Sequence, residues 1–421
     1  MPENNQMNAQ PDRSYLGQLQ VNVTSTLGLI PIQDATVTIS YTGVPDVTVE
    51  QLRTDSSGQT QTVELPAPPP EYSMEPEQPR PYSEYNIQVN APGYEPVMVS
   101  GTEILPDVTA LQPIQMRPLQ TAPSGEEEMI VIPDHTLYGE YPPKIPEDEI
   151  KPMDESGEIV LSRVVIPEYV IVHDGVPDDR TAANYYVRYR DYIKNVASSE
   201  IYATWTENAI YANVLAIMSF TLNRVYTEWY RNRGYNFTIT SSTAYDQKWM
   251  PGRNIYSNIG RVVDSIFNNY LSRPGVRQPI FTSYCDGRRV TCKGLSQWGS
   301  MYLGEEGYSP IEIIRYYYGS DMYINTAESI AGVPSSWPGY NLTIGSAGEK
   351  VRQMQQQLNR IAQNYPAIPR IAADGVFGPA TQNAVKTFQG IFNLPPNGIV
   401  DFPTWYSISN IYVGVSRIAE P

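Results

Sequence analysis

The sequence predicts a multidomain chain: an N-terminal β-sandwich over residues 15–118, a central α+β unit over 164–326 and a C-terminal three-helix unit over 341–412. Three observations predict it. Short runs that alternate apolar and polar residues, such as "LQVNV" and "YNIQVN", fill the first hundred residues. In the middle, Ile210, Val214, Ile217 and Leu222 recur near helical spacing, among short strand-like runs. Near the end, Asp374-Gly375-Val376 with Thr381 is echoed by Asn397-Gly398-Ile399 with Thr404 at a spacing of 23.

Composition narrows the function. A net charge of −16 argues against nucleic acid as a partner. No apolar run is long enough for a membrane span. The opening "MPENNQMNAQPDRSYLG" lacks a basic stretch followed by an apolar one, so no classical signal peptide is expected. Charge is unevenly placed. Between Thr121 and Glu158 stand eleven acids, two lysines and six prolines, whereas Ile166–Thr326 holds 16 basic residues against 15 acidic ones. A segment so acidic and proline-rich cannot bury enough apolar surface to fold by itself, so 119–163 reads as an extended, exposed linker.

In the first unit, turn clusters "TDSSG" and "APGY" separate the strands, and the proline cluster "LPAPPPEYSMEPEQPRPY" forms a long loop. With no histidine or cysteine, this unit reads as a scaffold or regulatory module. The order "PIQDATVTI", "TDSSGQT", "APGYEP" resembles transthyretin-like or carboxypeptidase regulatory-like domains. The central unit opens on the strand-like "VVIPEYVIVHDG". Two helices follow in "DYIKNVASSEIYATWTENAIYANVLAIMSF", with Thr206 as N-cap of the second. In the last unit, Val351, Met354, Leu358 and Ile361 mark one face of a first helix, and each copy of the echo turns the chain into a further helix. Over nearly its whole length this unit resembles the peptidoglycan-binding domain of bacterial cell-wall hydrolases.

One carboxylate stands at the break between the two central helices: Glu200, beside Ile201 and short of Tyr202 and Trp205. It reads either as a solvated helix end or as a general acid in a pocket that those apolar neighbours help to form. "YIKNVASSEI", "ENAIYANVLAIMSF" and "GLSQWGSMYLGEEGYSPIEIIRYYYG" resemble the stage II sporulation protein D family of glycan-cleaving lytic transglycosylases. The resemblance implies that Glu200 is catalytic. It also directs attention to Tyr284, Gln297, Trp298 and Tyr317 as substrate-binding residues, with core packing as the alternative for each. Where the family usually has an arginine, this chain has Met218.

The reaction that the resemblance implies needs no cofactor. A lytic transglycosylase can use a single carboxyl group, first as acid and then as base, whereas ordinary glycosidases need two. Cys285 and Cys292 flank "DGRRVT" and form a disulfide, remain packed thiols or, least expected, share a metal; with only His135 and His173 besides, no closed metal site is expected. The module order resembles that of the spore cortex-lytic enzymes. That implies a precursor stored in the spore cortex or coat region, acting on cortex peptidoglycan and activated by a subtilisin-like germination protease. We expect the cut between Leu161 and Val164, at Ser162, Arg163 or Val164, just ahead of the first central strand. The contrasting reading is a non-catalytic peptidoglycan-binding or spore-structural protein.

Overall fold

A computed structural model describes residues 15–416, except 27–28, 79, 120–127, 138–140, 152–162, 328 and 332–336. In the N-terminal region the strands are β1 (Tyr15–Ser25), β2 (Thr36–Tyr41), β3 (Val44–Arg53), β4 (Val63–Ala67), β5 (Ser83–Asn90), β6 (Val97–Ile104), β7 (Thr109–Met116) and β8 (Glu128–Val131). Alternation does what the sequence asks of it. Leu19, Val21 and Val23 of β1 are fully buried, while the residues between them are not. One sheet has the order β3-β2-β5-β6-β8, and a second contains β7-β1-β4. The proline-rich connection between β4 and β5 carries Ser73 across to the central unit, where its carbonyl accepts from Trp205 Nε1 at 2.9 Å.

The central unit comprises β9 (Val165–Ile166), β10 (Tyr169–His173), β11 (Asn184–Arg188), α1 (Tyr189–Glu200), α2 (Glu207–Tyr226), β12 (Ile239–Thr240), β13 (Ile255–Tyr256), α3 (Ser257–Ile266), β14 (Asn269–Ser272), β15 (Tyr284–Cys285), β16 (Leu295–Ser296), α4 (Gln297–Glu305), α5 (Pro310–Tyr318), β17 (Tyr323–Thr326) and β18 (Ser329–Ile330). Helix α2 is its axis, buried on nearly every side and capped by Thr206, whose side chain accepts from Ala209 N. Strand β13 leaves the unit to pair antiparallel with β7, extending the N-terminal sheet.

The acidic segment departs from the sequence reading. Its described part does not run free: β8 pairs with β6, and residues 144–151 lie along the central unit. Glu147 accepts from both terminal nitrogens of Arg224, at 2.8 and 2.6 Å, and Glu149 from Arg273. Lys151 exchanges two hydrogen bonds between its backbone and the Gln278 side chain. Arginines of the neighbouring unit take up the segment's charge. Within the expected cleavage stretch, Leu161 and Ser162 lie outside the described residues. Arg163 is exposed, whereas Val164 is buried.

The C-terminal unit is α6 (Glu349–Asn364), α7 (Pro379–Ile391) and α8 (Phe402–Ser416) around Met354, Leu358, Phe377, Phe388 and Trp405. Its echo has a physical cause. Gln355 Nε2 donates to Asp374 Oδ1, the Val376 carbonyl and Thr381 Oγ1, and its Oε1 accepts from Gly375 N. Gln389 repeats the pattern with Asn397, Ile399, Thr404 and Gly398. Both glycines have positive φ, +81° and +74°, which the turns require. Both glutamines are buried. Gln389→Leu should therefore lower the stability of this unit by about 2 kcal/mol, since it strands buried partners; urea unfolding followed by tryptophan fluorescence measures it.

Candidate active site

Glu200 is the last residue of α1, where the negative end of the helix dipole disfavours a carboxylate. It is only 6% exposed. Oε1 accepts from the backbone N–H of Lys248 at 2.6 Å, and Oε2 accepts from the Tyr284 hydroxyl. Burial pushes its pKa above the ordinary carboxylate range. The Lys144 ammonium, the Lys248 N–H and the Tyr284 hydroxyl oppose that rise without cancelling it. The carboxyl is poised toward its protonated form.

Each partner is held by a built support. Asn195, one turn and a half earlier on α1, donates to the Met250 carbonyl at 2.7 Å and accepts from Met250 N at 3.0 Å. Gln247 accepts from Tyr192 and Thr221 and donates to the Ile217 carbonyl. Together they fix the loop that presents Lys248 N to Glu200. Tyr284 comes from β15, which pairs with β16 and so sits beside the first turn of α4. From that turn Gln297 donates to the backbone carbonyl of Glu200 at 2.9 Å, so it holds the residue and not the carboxyl.

A pocket opens on this group, lined among others by Tyr141, Lys144, Lys248, Asp286 and Val290. Asp286 is a second acid there, but its oxygens accept the backbone N–H groups of Arg288, Arg289 and Val290. Its role is to shape the turn. Cys285 and Cys292 are paired as a disulfide that closes the same turn. Among the described residues, no group of three or more His, Cys, Asp or Glu side chains is placed to hold a metal, and no helix is long and apolar enough to cross a membrane.

The structure brings Glu200, Tyr284 and Gln297 together and leaves Trp298 and Tyr317 elsewhere. Trp298 packs against Trp205 and Tyr202, with ring centroids 5.2 and 6.1 Å away, and donates to the Leu137 carbonyl. Tyr202 and Trp205 thus belong to that aromatic cluster and not to the wall of the Glu200 cavity. The Tyr317 hydroxyl lies against Gly299, where a Cβ would make it shift. Met218 is fully buried in α2. The cations that reach Glu200 are Lys144 and Lys248 instead. Sequence reasoning missed both. The signal for Lys144 was its isolation, one of two lysines in a strongly acidic stretch.

Comparison with known proteins agrees at the C-terminal end. Residues 347–408 match the peptidoglycan binding domain family, so the chain carries a peptidoglycan-binding domain and a cell-wall-associated role. The chain is similar to the zinc D-Ala-D-Ala carboxypeptidase of Streptomyces albus G, 43% identical over 74 residues, 17% of this chain and 27% of that protein. The chain therefore spans about a quarter of the length of this curated relative. Among solved structures, the TIE protein of Bacillus anthracis is 13% identical over 25% of this chain and 17% of its own, with a TM-score of 0.19. The minor pilin GBS52 of Streptococcus agalactiae is 15% identical over 27% and 48%, also at 0.19. Likenesses this slight carry no weight for fold or function. Residues 341–416 have their own core, and expressed alone they should cosediment with insoluble peptidoglycan; a pellet free of the fragment would contradict the assignment.

Proposed function

We propose that the central unit is a lytic transglycosylase that cleaves the glycan strands of peptidoglycan, and that the chain is a spore cortex-lytic precursor of the SleC type. One observation carries this reading: a single buried carboxyl, Glu200, raised toward its acid form and held by Lys248 N–H and the Tyr284 hydroxyl, while the other acid of the cavity, Asp286, is taken up by backbone amides. Protonated Glu200 gives its proton to the glycosidic oxygen as the bond to C1 breaks. The resulting carboxylate takes the proton of the muramic 6-hydroxyl as O6 closes onto C1. The proton count balances and no water is consumed, so a second carboxylate is unnecessary. Tyr284 and Lys248 N–H hold the anion that exists between the two transfers.

The C-terminal unit anchors the enzyme and raises its local concentration on the polymer. Cortex peptidoglycan in the spore is the proposed substrate. A subtilisin-like germination protease, cutting near Ser162, Arg163 and Val164, is the proposed activator. Release of soluble glycan from purified cortex tests the reading; a protein that binds cortex and releases nothing is the structural protein of the contrasting reading. The pH dependence follows from the acid. The active form is protonated, and its pKa is raised, so activity extends above the ordinary carboxylate range and falls as pH rises through that raised value. A kcat/KM profile that stays level from weakly acid to alkaline pH would contradict Glu200 as the acid.

A further inference from the structure

We infer that residues 15–151 form a separable partner of the central unit, one that stays seated over Glu200 after the connection at 152–162 is cut. Severing that connection is then not enough to open the site; the fragment must also leave. The inference about blocking rests on the proposed function, while the inference about docking rests on geometry alone.

The contact is spread over four places that do not depend on the connection. Strand β13 pairs with β7, Ile255 opposite Leu111 and Tyr256 opposite Ala110, which is strand addition to a sheet edge. Beside it lies a buried polar knot. Arg253 donates to Glu103 at 2.5 Å and to His135 Nδ1 at 2.9 Å, and Asn254 exchanges hydrogen bonds with the Glu103 backbone on both sides. The Arg253 and Glu103 side chains are fully buried. Next, the central unit's aromatic cluster bonds to backbone of the departing part: Trp205 to Ser73, Trp298 to Leu137, and the Tyr202 hydroxyl accepts from Leu137 N. Finally, the run 144–151 is stitched down by Arg224 and Arg273. Trp, Tyr and Arg anchors that are buried at a contact centre are the residues that dominate the stability of protein interfaces.

The fourth contact reaches the site. Lys144 donates from Nζ to the Asp246 carbonyl at 2.6 Å, with its ammonium over the Tyr284 ring at 5.1 Å, and it lines the cavity with Tyr141 and Pro142. The fragment therefore fills part of the space a glycan strand would need. It also sets a cation against the carboxyl that must hold a proton.

The test uses the full chain with a site for a sequence-specific protease placed within 152–162. After cutting, gel filtration at about 1 μM should show both fragments together at the position of the intact 47.3 kDa chain. Two separate peaks would overturn the docking whatever the activity. On soluble glycan, the cut complex should be at least ~10-fold slower than the same sample from which the N-terminal fragment has been stripped. Equal rates would overturn the blocking. Co-elution with no cleavage in either sample would leave docking standing and count against the proposed function. The double variant Glu103→Gln with Glu147→Gln removes the fragment's charges that face Arg253 and Arg224, leaves Glu149 on Arg273, and changes no residue of the central unit. Its fragment should dissociate at least ~10-fold faster; an unchanged rate would count against the contact. Should that variant fail to fold, dilution of the cut parent chain still decides between one peak and two.

Discussion

Glu200→Gln should reduce glycan cleavage by at least ~100-fold while thermal unfolding and binding to insoluble peptidoglycan stay close to those of the parent chain. Glutamine has the same size, and its amide oxygen still accepts the Lys248 N–H. It has no proton to give to a leaving oxygen and no carboxylate to receive one from a 6-hydroxyl. With Glu200 in its protonated form both side chains are neutral and equally buried, so folding changes little. Activity and stability are thereby separated in one variant. Initial rates on soluble glycan, measured beside a melting curve, check both halves, and near-normal turnover would remove Glu200 from the mechanism.

Arg224→Met should lower the stability of the central unit by about 3–5 kcal/mol. The guanidinium is buried, donates to Asp246 at 2.7 Å through Nε and grips Glu147 with its two terminal nitrogens. It also lies 4.8 Å from the Trp229 and Phe281 ring centroids. Methionine fills much of the space but leaves Asp246 buried with one oxygen unpaired. Glu147, closer to the surface, loses less, because Lys151 still holds it at 2.8 Å. The burial of Glu147 is linked to pH. Arg224 and Lys151 hold its pKa below the ordinary carboxylate value against the cost of burial. Its contribution is therefore present above the unfolded pKa and is lost as pH falls through the folded one. Urea unfolding of parent and variant measures the loss; a difference under ~1 kcal/mol would show the network to be unimportant.

The parts that local pattern controls were legible in the sequence. Alternation in β1, the helical stripe of α2, the Thr206 cap and the paired turns of the C-terminal unit each follow from residues close in the chain. The place of Glu200 at the end of one helix, just before another begins, was legible in the same way. What lay out of reach was set by long-range contact. The segment around Glu147 and Lys144 reads from its own composition as an extended linker, whereas the arginines that receive it lie 77 and 124 residues further on. For Trp298 and Tyr317, local sequence does not say which way each side chain turns. Neighbours in sequence on a helix diverge in space, so Gln297 meets Glu200 while Trp298 turns to the aromatic cluster. Gln355 and Gln389 do not share the 23-residue spacing of the turns they hold. The glutamines stand 19 and 8 residues before the turns they hold.

Mass analysis of the glycan ends released from purified cortex by the activated protein tests the single-carboxyl reaction most directly. Strands ending in 1,6-anhydromuramic residues, absent from a parallel digest with Glu200→Gln, are the predicted result. Strands ending in reducing muramic residues, heavier by one water, would contradict it.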